Sequence, residues 1–321
     1  MIEAALIGTG LGAAWWGGSR LFHHAILRGL RAPRVPHETP LEAGSPTAGA
    51  LQRLSLPNPQ GKRLAAWFAW PQPAQPGPVP AVLVMHGWGA NASMMGPVVA
   101  PLRAAGLAVL LLDARCHGES DDEPFTSMPR FAEDIATGLQ WLHGQGGIDH
   151  RRIALLGHSV GAAAALLHAA GGAALQADGA IASVVSLSAF AHPQELMRRW
   201  LAERRLPYPL LGWGLLRHVQ RVIGARFDDI APLHTLPRVR CPVLLVHGRD
   251  DRTVPFDDAL RLQRAAQQAG GRVELLAVAG DHDLRDALAP HAADIVGFLQ
   301  HALQPAWAAA APAQAPVAAA G

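Results

Sequence analysis

Ile153-Ala154-Leu155-Leu156-Gly157-His158-Ser159-Val160-Gly161 is the stretch on which the reading of this chain turns. A short apolar run opens it, the pattern of a buried strand in a parallel sheet. Gly-x-Ser-x-Gly follows, and then Ala162-Ala163-Ala164-Ala165-Leu166-Leu167, a strong helix former. A serine held between strand and helix by flanking glycines is the nucleophile-elbow arrangement. The turn forces Ser159 into a strained backbone conformation, and side chains at Gly157 or Gly161 would crowd neighbouring backbone. It also sets Ser159 at the positive end of a helix dipole, where developing negative charge is favoured.

Working outward, the same alternation repeats. Upstream, Ala81–Met85 and Leu107–Leu112 are apolar runs that end in His86-Gly87-Trp88-Gly89 and in Asp113. Downstream, strands are expected near Ile181–Leu187, Cys241–Val246 and Arg272–Val278. Helices are expected between them. One is capped by Asn91 and stops at Gly106; another is capped by Ser127, with Phe131, Ile135, Leu139 and Leu142 on its apolar face. Two more are expected at Asp257–Ala269 and Pro290–Leu303. Strands alternating with helices predict an α/β fold, a mostly parallel sheet with helices on both faces. Leu51–Leu56 and Leu64–Trp70 read as a hairpin ahead of it.

Residues 190–236 break the rhythm. Helices at Pro193–Leu201 and Leu210–Val222, with Trp200, Tyr208 and Trp213 among leucines, predict a small helical cap inserted over the sheet edge. The alternative is an ordinary crossover with one long helix; crossovers need only about a dozen residues. The domain reading is a hydrophobic helix over 1–31, a proline-bearing linker over 32–50, a main domain over 51–303, and an Ala/Pro tail over 304–321 without packable pattern.

The N-terminus carries no charge between Glu3 and Arg20, and Trp15 and Trp16 suit a membrane interface. About 17 residues is the lower limit for a span. A membrane anchor is expected, with the arginines after it placing the main domain on the cytoplasmic side. The alternative is a terminal helix packed on a soluble cytoplasmic domain.

Composition excludes other classes. The chain is 50% hydrophobic and 16% charged, which suits a sizeable core. Net charge is +2 and no block of five like charges occurs, so no nucleic-acid partner is indicated. Neither the two cysteines nor the 16 histidines form a metal-ligand spacing, and no glycine loop precedes Lys-Ser/Thr. No metal, cofactor or nucleotide is expected.

Ser159, the Asp250-Asp251 pair and His282 each stand at the C-terminal end of a strand, the edge where open α/β sheets bind ligands. Serine needs a base within hydrogen-bond reach to act as a nucleophile. His282 would take its proton and return it to a leaving group, with an acid orienting the imidazole. The motifs Gly157-His158-Ser159-Val160-Gly161, His86-Gly87-Trp88-Gly89, Asp113-x-Arg115-x-x-Gly118-x-Ser120, Gly248-x-x-Asp251-x-x-Val254-Pro255 and Gly280-Asp281-His282 come in order over roughly residues 51–303. In this the chain resembles the α/β-hydrolase superfamily, in its serine aminopeptidase-like and lipase-like branch, which includes membrane-tethered bacterial members.

The resemblance implies a Ser159-His282-Asp251 triad, with Asp251 chosen over Asp250 by its spacing to Val254-Pro255. It places oxyanion donors at the backbone N–H groups of Trp88 and Val160. His86, Asp113, Arg115 and Ser120 take structural roles. Cys116 and His117, by their place in the same loop, either line the site or serve an ordinary loop role, and the second is the reading preferred. It implies a serine hydrolase acting through an acyl-enzyme on an ester, thioester or amide. An apolar small-molecule ester is favoured, because Met94, Met95, Phe190 and Trp200 are expected to line an apolar pocket. The rivals are an aminopeptidase-type peptidase or an acyltransferase with the same triad, and a non-catalytic binding module.

Overall fold

The structure is a computed structural model that describes residues 18–37, 51–171, 181–205 and 212–304. Its centre is an eight-stranded sheet in the order β1-β2-β4-β3-β5-β6-β7-β8. The strands are β1 (Gln52–Pro57), β2 (Arg63–Ala69), β3 (Val79–Met85), β4 (Ala108–Leu112), β5 (Ile148–His158), β6 (Ser183–Leu187), β7 (Val243–Gly248) and β8 (Val273–Val278). β2 runs antiparallel to both β1 and β4, and every other pair is parallel. The serine-bearing β5 lies in the middle, between β3 and β6.

Alternate residues of these strands feed two cores. Leu83, Leu110, Leu155, Val184 and Leu245 pack with α3 (Met128–His143), α4 (Val160–Ala170) and α9 (Phe256–Gln268). Val84, Leu111, Leu156, Val185 and Val246 pack with α2 (Val99–Ala104) and α11 (Ala292–Ala302). A strand buried on both faces must be apolar at every position, which is why β4 and the Ile153–Leu156 part of β5 read as continuous runs. Each such Leu or Val stabilises the fold by roughly 1.5–3 kcal/mol. Ser127 caps α3, its side chain accepting the Arg130 N–H. The helix expected after Asn91 is split: Ala92–Val98, with Pro97 inside, is a 3₁₀ turn and only Val99–Ala104 is α-helical.

Among the described residues of the 190–236 interval are four α-helices, α5 (Pro193–Glu203), α6 (Gly212–Ile223), α7 (Phe227–Ile230) and α8 (Pro232–Thr235). α8 lies against α4 and α9, and α5 against α6.

The N-terminal reading needs correction. Residues 18–29 are helical (α1). α1 is laid against the domain: Ile26 is buried in the core, Leu30 just beyond it packs there too, and His23 Nδ1 meets His218 Nε2 of α6 at 3.1 Å. Ile26 and Leu30 are four apart, so they share one face and can be buried together. Residues 18–31 are thus part of the folded domain rather than of a membrane helix over 1–31. Among the described residues no helix is long and apolar enough to cross a membrane; the apolar run before residue 18 lies outside them. The expected linker fails in the same way over 32–37, which is docked on the domain (below). Residues 38–50 and the 305–321 tail lie outside the described residues.

Candidate active site

β5 ends at His158 and α4 begins at Val160, leaving Ser159 at φ +52° and ψ −116°. A non-glycine residue held at positive φ costs about 1–3 kcal/mol and persists only where its surroundings impose it. The imposition is visible. A Cβ at Gly157 would lie 2.4 Å from the Gly161 carbonyl oxygen, and one at Gly161 would lie 2.3 Å from the His86 carbonyl oxygen. Both obstacles are backbone and cannot swing away. Gly157→Ala is expected to lower stability by about 3 kcal/mol, the upper end for overpacking. A urea midpoint equal to that of the wild type would show the turn to be slack.

Three side chains meet at the C-terminal edge of the sheet. Ser159 Oγ lies 3.0 Å from His282 Nε2, and His282 Nδ1 lies 2.8 Å from Asp251 Oδ2. Nδ1–H donating to the carboxylate leaves the Nε2 lone pair facing the hydroxyl. Asp251 Oδ1 accepts the Thr253 and Val254 N–H groups at 2.9 and 2.7 Å. Burial raises the pKa of this carboxyl, but hydrogen bonds from His247, His282 and Val254 outweigh it and hold it well below the usual range. Asp250 is exposed, its N–H bonded to the Gly280 carbonyl, so the adjacent pair is divided: one carboxylate faces the imidazole and the other faces solvent. Asp281 accepts the Asp283 N–H, and Asp283 pairs with Arg285, as loop-capping groups do.

The loop 86–89 lies against this elbow. A Cβ at Gly87 would sit 3.2 Å from Ser159 Cβ. Val160 contributes the first N–H of α4, and Trp88 sits between Gly87 and Gly89. Two neutral histidines hold the loop from within. His86 Nδ1–H donates to the Gly87 carbonyl at 2.7 Å while its Nε2 accepts the Ala114 N–H at 3.0 Å. His117 Nδ1–H donates to the Arg115 carbonyl at 3.0 Å while its Nε2 accepts the Gly89 N–H at 3.1 Å. His117 therefore does more than the ordinary loop role expected of it.

An adjoining cleft of ≈ 210 Å³ is lined by Trp88, Met94, Met95, Leu187, Leu284 and Leu288 together with the polar His158, His282, Asp283 and Arg285. Met94 and Met95 line this cleft; Phe190 and Trp200 are not among its lining residues. Phe190 is buried in the core, and Trp200 lies 46% exposed on α5 under the Arg204 guanidinium, 3.7 Å away. An aromatic near a site in sequence packs wherever its own helix or loop points it. Leu284 and Leu288 were legible only as an i, i+4 apolar pair after His282.

His158 also escaped the sequence reading. Its Nε2–H donates to the His282 carbonyl at 2.8 Å, tying the elbow to the loop that carries His282. Burial, then the neighbouring His282 imidazole, pulls the His158 pKa down to about 4. Burial, then His86, pulls His117 to about 3, and burial pulls His168 to about 4. An unfolded imidazole titrates near 6.5. Between pH ~6.5 and ~4 the unfolded chain thus binds these protons and the folded chain does not, so stability falls on acidification by up to roughly 1.4 kcal/mol per pH unit for each histidine. His37, whose pKa is shifted up, works in the opposite sense. The Tm is expected to drop between pH 7 and pH 5 in scanning calorimetry; a flat profile would contradict the buried neutral state.

His192, Asp228 and His234 form a compact cluster, their side-chain ligand atoms within 4.8 Å of one another. His192 Nδ1 accepts the Gln194 N–H at 3.1 Å, so its Nε2 carries the proton and donates to Asp228 Oδ1 at 3.0 Å. That imidazole is occupied in capping α5.

Central elbow, parallel sheet and strand-end side chains define the α/β-hydrolase class. The chain matches the Alpha/beta hydrolase family over residues 81–293 and belongs to it. It is 32% identical over 235 residues to an uncharacterized protein of Mycobacterium tuberculosis (strain ATCC 25618 / H37Rv), covering 73% of each chain. It is 25% identical over 256 residues to esterase YjfP of Escherichia coli (strain K12), covering 73% of this chain and 93% of that one. The solved Pyrococcus furiosus esterase Pf2001 shares the fold, with a TM-score of 0.65 at 20% identity over 85% of this chain and 97% of that one.

Proposed function

We propose that this protein is a serine hydrolase that cleaves carboxylic esters with an apolar acyl or alcohol part. The observation that carries the reading is the unbroken succession from Ser159 Oγ through His282 to Asp251, at 3.0 and 2.8 Å. In this mechanism His282 Nε2 takes the Ser159 proton as Oγ attacks the ester carbonyl. Asp251 stabilises the imidazolium so formed. The tetrahedral oxyanion is bound by the Trp88 and Val160 N–H groups. His282 then protonates the departing alkoxide, and a water molecule, activated by the same imidazole, releases the acid from the acyl-enzyme. Trp88, the two methionines and the three leucines of the cleft favour an apolar chain over a polar one.

Fluorophosphonate labelling with p-nitrophenyl acetate, butyrate, hexanoate and an aminoacyl nitroanilide as substrates tests this. Labelling is expected, together with a kcat/KM that rises about fourfold per added methylene until the cleft is filled, from ~0.8 kcal/mol per buried CH₂. Faster turnover of the nitroanilide than of any ester would move the protein to the peptidases. Absence of labelling would remove the serine mechanism.

A further inference from the structure

We infer that residues 33–37, ahead of the hydrolase domain, are the outer support of the loop that presents the Trp88 amide, with His37 as its principal positioning residue. The inference rests on the serine-hydrolase reading above and adds to it a determinant of the oxyanion site.

Three contacts from this strap fall on consecutive parts of the loop. The Pro33 ring lies over Gly89: a methyl there would meet Pro33 Cγ at 3.4 Å. Asn91, fully buried, donates from Nδ2 to the Val35 and Pro36 carbonyls at 2.9 and 3.1 Å while its Oδ1 accepts from Ser93. His37 Nε2 meets Asp113 Oδ2 at 2.9 Å, and the other oxygen of that carboxylate accepts the Ala92 N–H at 2.7 Å. Asp113 is fully buried and the His37 side chain is 9% exposed, against the Trp67 ring. Burial alone would pull the His37 pKa down, yet the Asp113 carboxylate outweighs it.

The strap is itself held. Arg34 binds the Ser120 carbonyl at 2.9 Å and Asp122 at 2.7 Å, and also the Gly118 carbonyl. Arg31 binds the Pro124 carbonyl at 3.2 Å. The loop is therefore clamped between His86 and His117 on its inner side and the strap on its outer side. Without the strap, Asn91 Nδ2 loses the Val35 and Pro36 carbonyls, and Asp113 Oδ2 keeps only the Glu119 N–H, at 2.8 Å. A backbone donor must sit within a few tenths of an ångström of the developing oxyanion, and a shift of about 1 Å costs on the order of 100-fold in rate.

The test is His37→Leu and His37→Gln in the full chain, with p-nitrophenyl butyrate turnover and phenylboronic acid inhibition as readouts. The boronate forms a tetrahedral adduct whose oxygen occupies the oxyanion site. His37→Leu is expected to lower kcat about 10- to 100-fold with KM within about twofold, because the oxyanion exists only in the transition state. Boronate affinity is expected to fall in parallel with kcat. Glutamine, which can donate to Asp113, is expected to recover most of the loss. If His37→Leu does not fold, the exposed pair Pro33→Gly and Arg34→Ala carries the same test, with kcat expected to fall while KM holds. Folded variants that keep wild-type kcat and boronate affinity would overturn this inference alone. A wild-type chain that neither labels with fluorophosphonate nor turns over ester would overturn the hydrolase reading and this one with it.

Discussion

Ser159→Ala is expected to lower kcat by about 10⁶-fold, the scale seen when the nucleophile of a cooperating serine site is removed. The variant should fold. Alanine occupies less space than serine, and the strained φ of +52° is imposed by the Gly157–Gly161 contact rather than by the hydroxyl. Residual activity of 10³–10⁴-fold over water is expected to persist from the oxyanion donors and substrate binding. Ester turnover and fluorophosphonate incorporation, measured on protein with unchanged Tm, check the result. Labelling at the wild-type rate would end the assignment of the nucleophile.

Asp251→Asn is expected to cost about 10⁴-fold in kcat, with little loss of structure. The reason lies in what surrounds the carboxylate. Asp251 Oδ1 accepts two backbone N–H groups, from Thr253 and Val254. An asparagine must keep its carbonyl oxygen there, since its NH₂ cannot accept. The NH₂ is then turned toward His282 Nδ1, which has to become an acceptor. The proton moves to Nε2 and points at Ser159 Oγ, so the imidazole can no longer take the serine proton. Asp250→Asn should leave kcat within about twofold, as expected of an exposed substitution away from the site. The pair of variants separates the two adjacent carboxylates directly; equal losses would mean that the acid had been misassigned.

What could be read from the sequence was local. The elbow pattern spans five residues, Gly157 to Gly161, although the obstacle at Gly161 is the His86 carbonyl at the end of β3; its strand and helix are written in the apolar run before it and the alanines after it. Fold class followed from repetition of that pattern, because a parallel sheet covered on both faces forces apolar runs at every strand. Ser159, His282 and Asp251 could be singled out because strand ends are locatable, and their side chains lie in hydrogen-bond contact because the sheet delivers its strand ends to one edge. Phe190 and Trp200 lie elsewhere: the loop after β6 turns Phe190 into the core, and the phase of α5 leaves Trp200 half exposed.

The N-terminal segment shows the boundary most clearly. Its prolines mark it as non-helical, and a short proline-rich stretch before a domain reads as a linker whether or not anything binds it. That Pro33, Val35, Pro36 and His37 close over Gly89, Asn91 and Asp113 depends on partners more than fifty residues away, and no local propensity encodes such a contact. His158 is similar, since its bond to the His282 carbonyl spans 124 residues. The sequence alone determined the strands, the strained turn that holds Ser159 and the chain order of Ser159, Asp251 and His282, set by short-range sterics and periodic burial. Tertiary structure alone decided which leucines join the methionines in the cleft and what packs on the outside of the 86–91 loop, because each depends on surfaces that meet only once the sheet has closed.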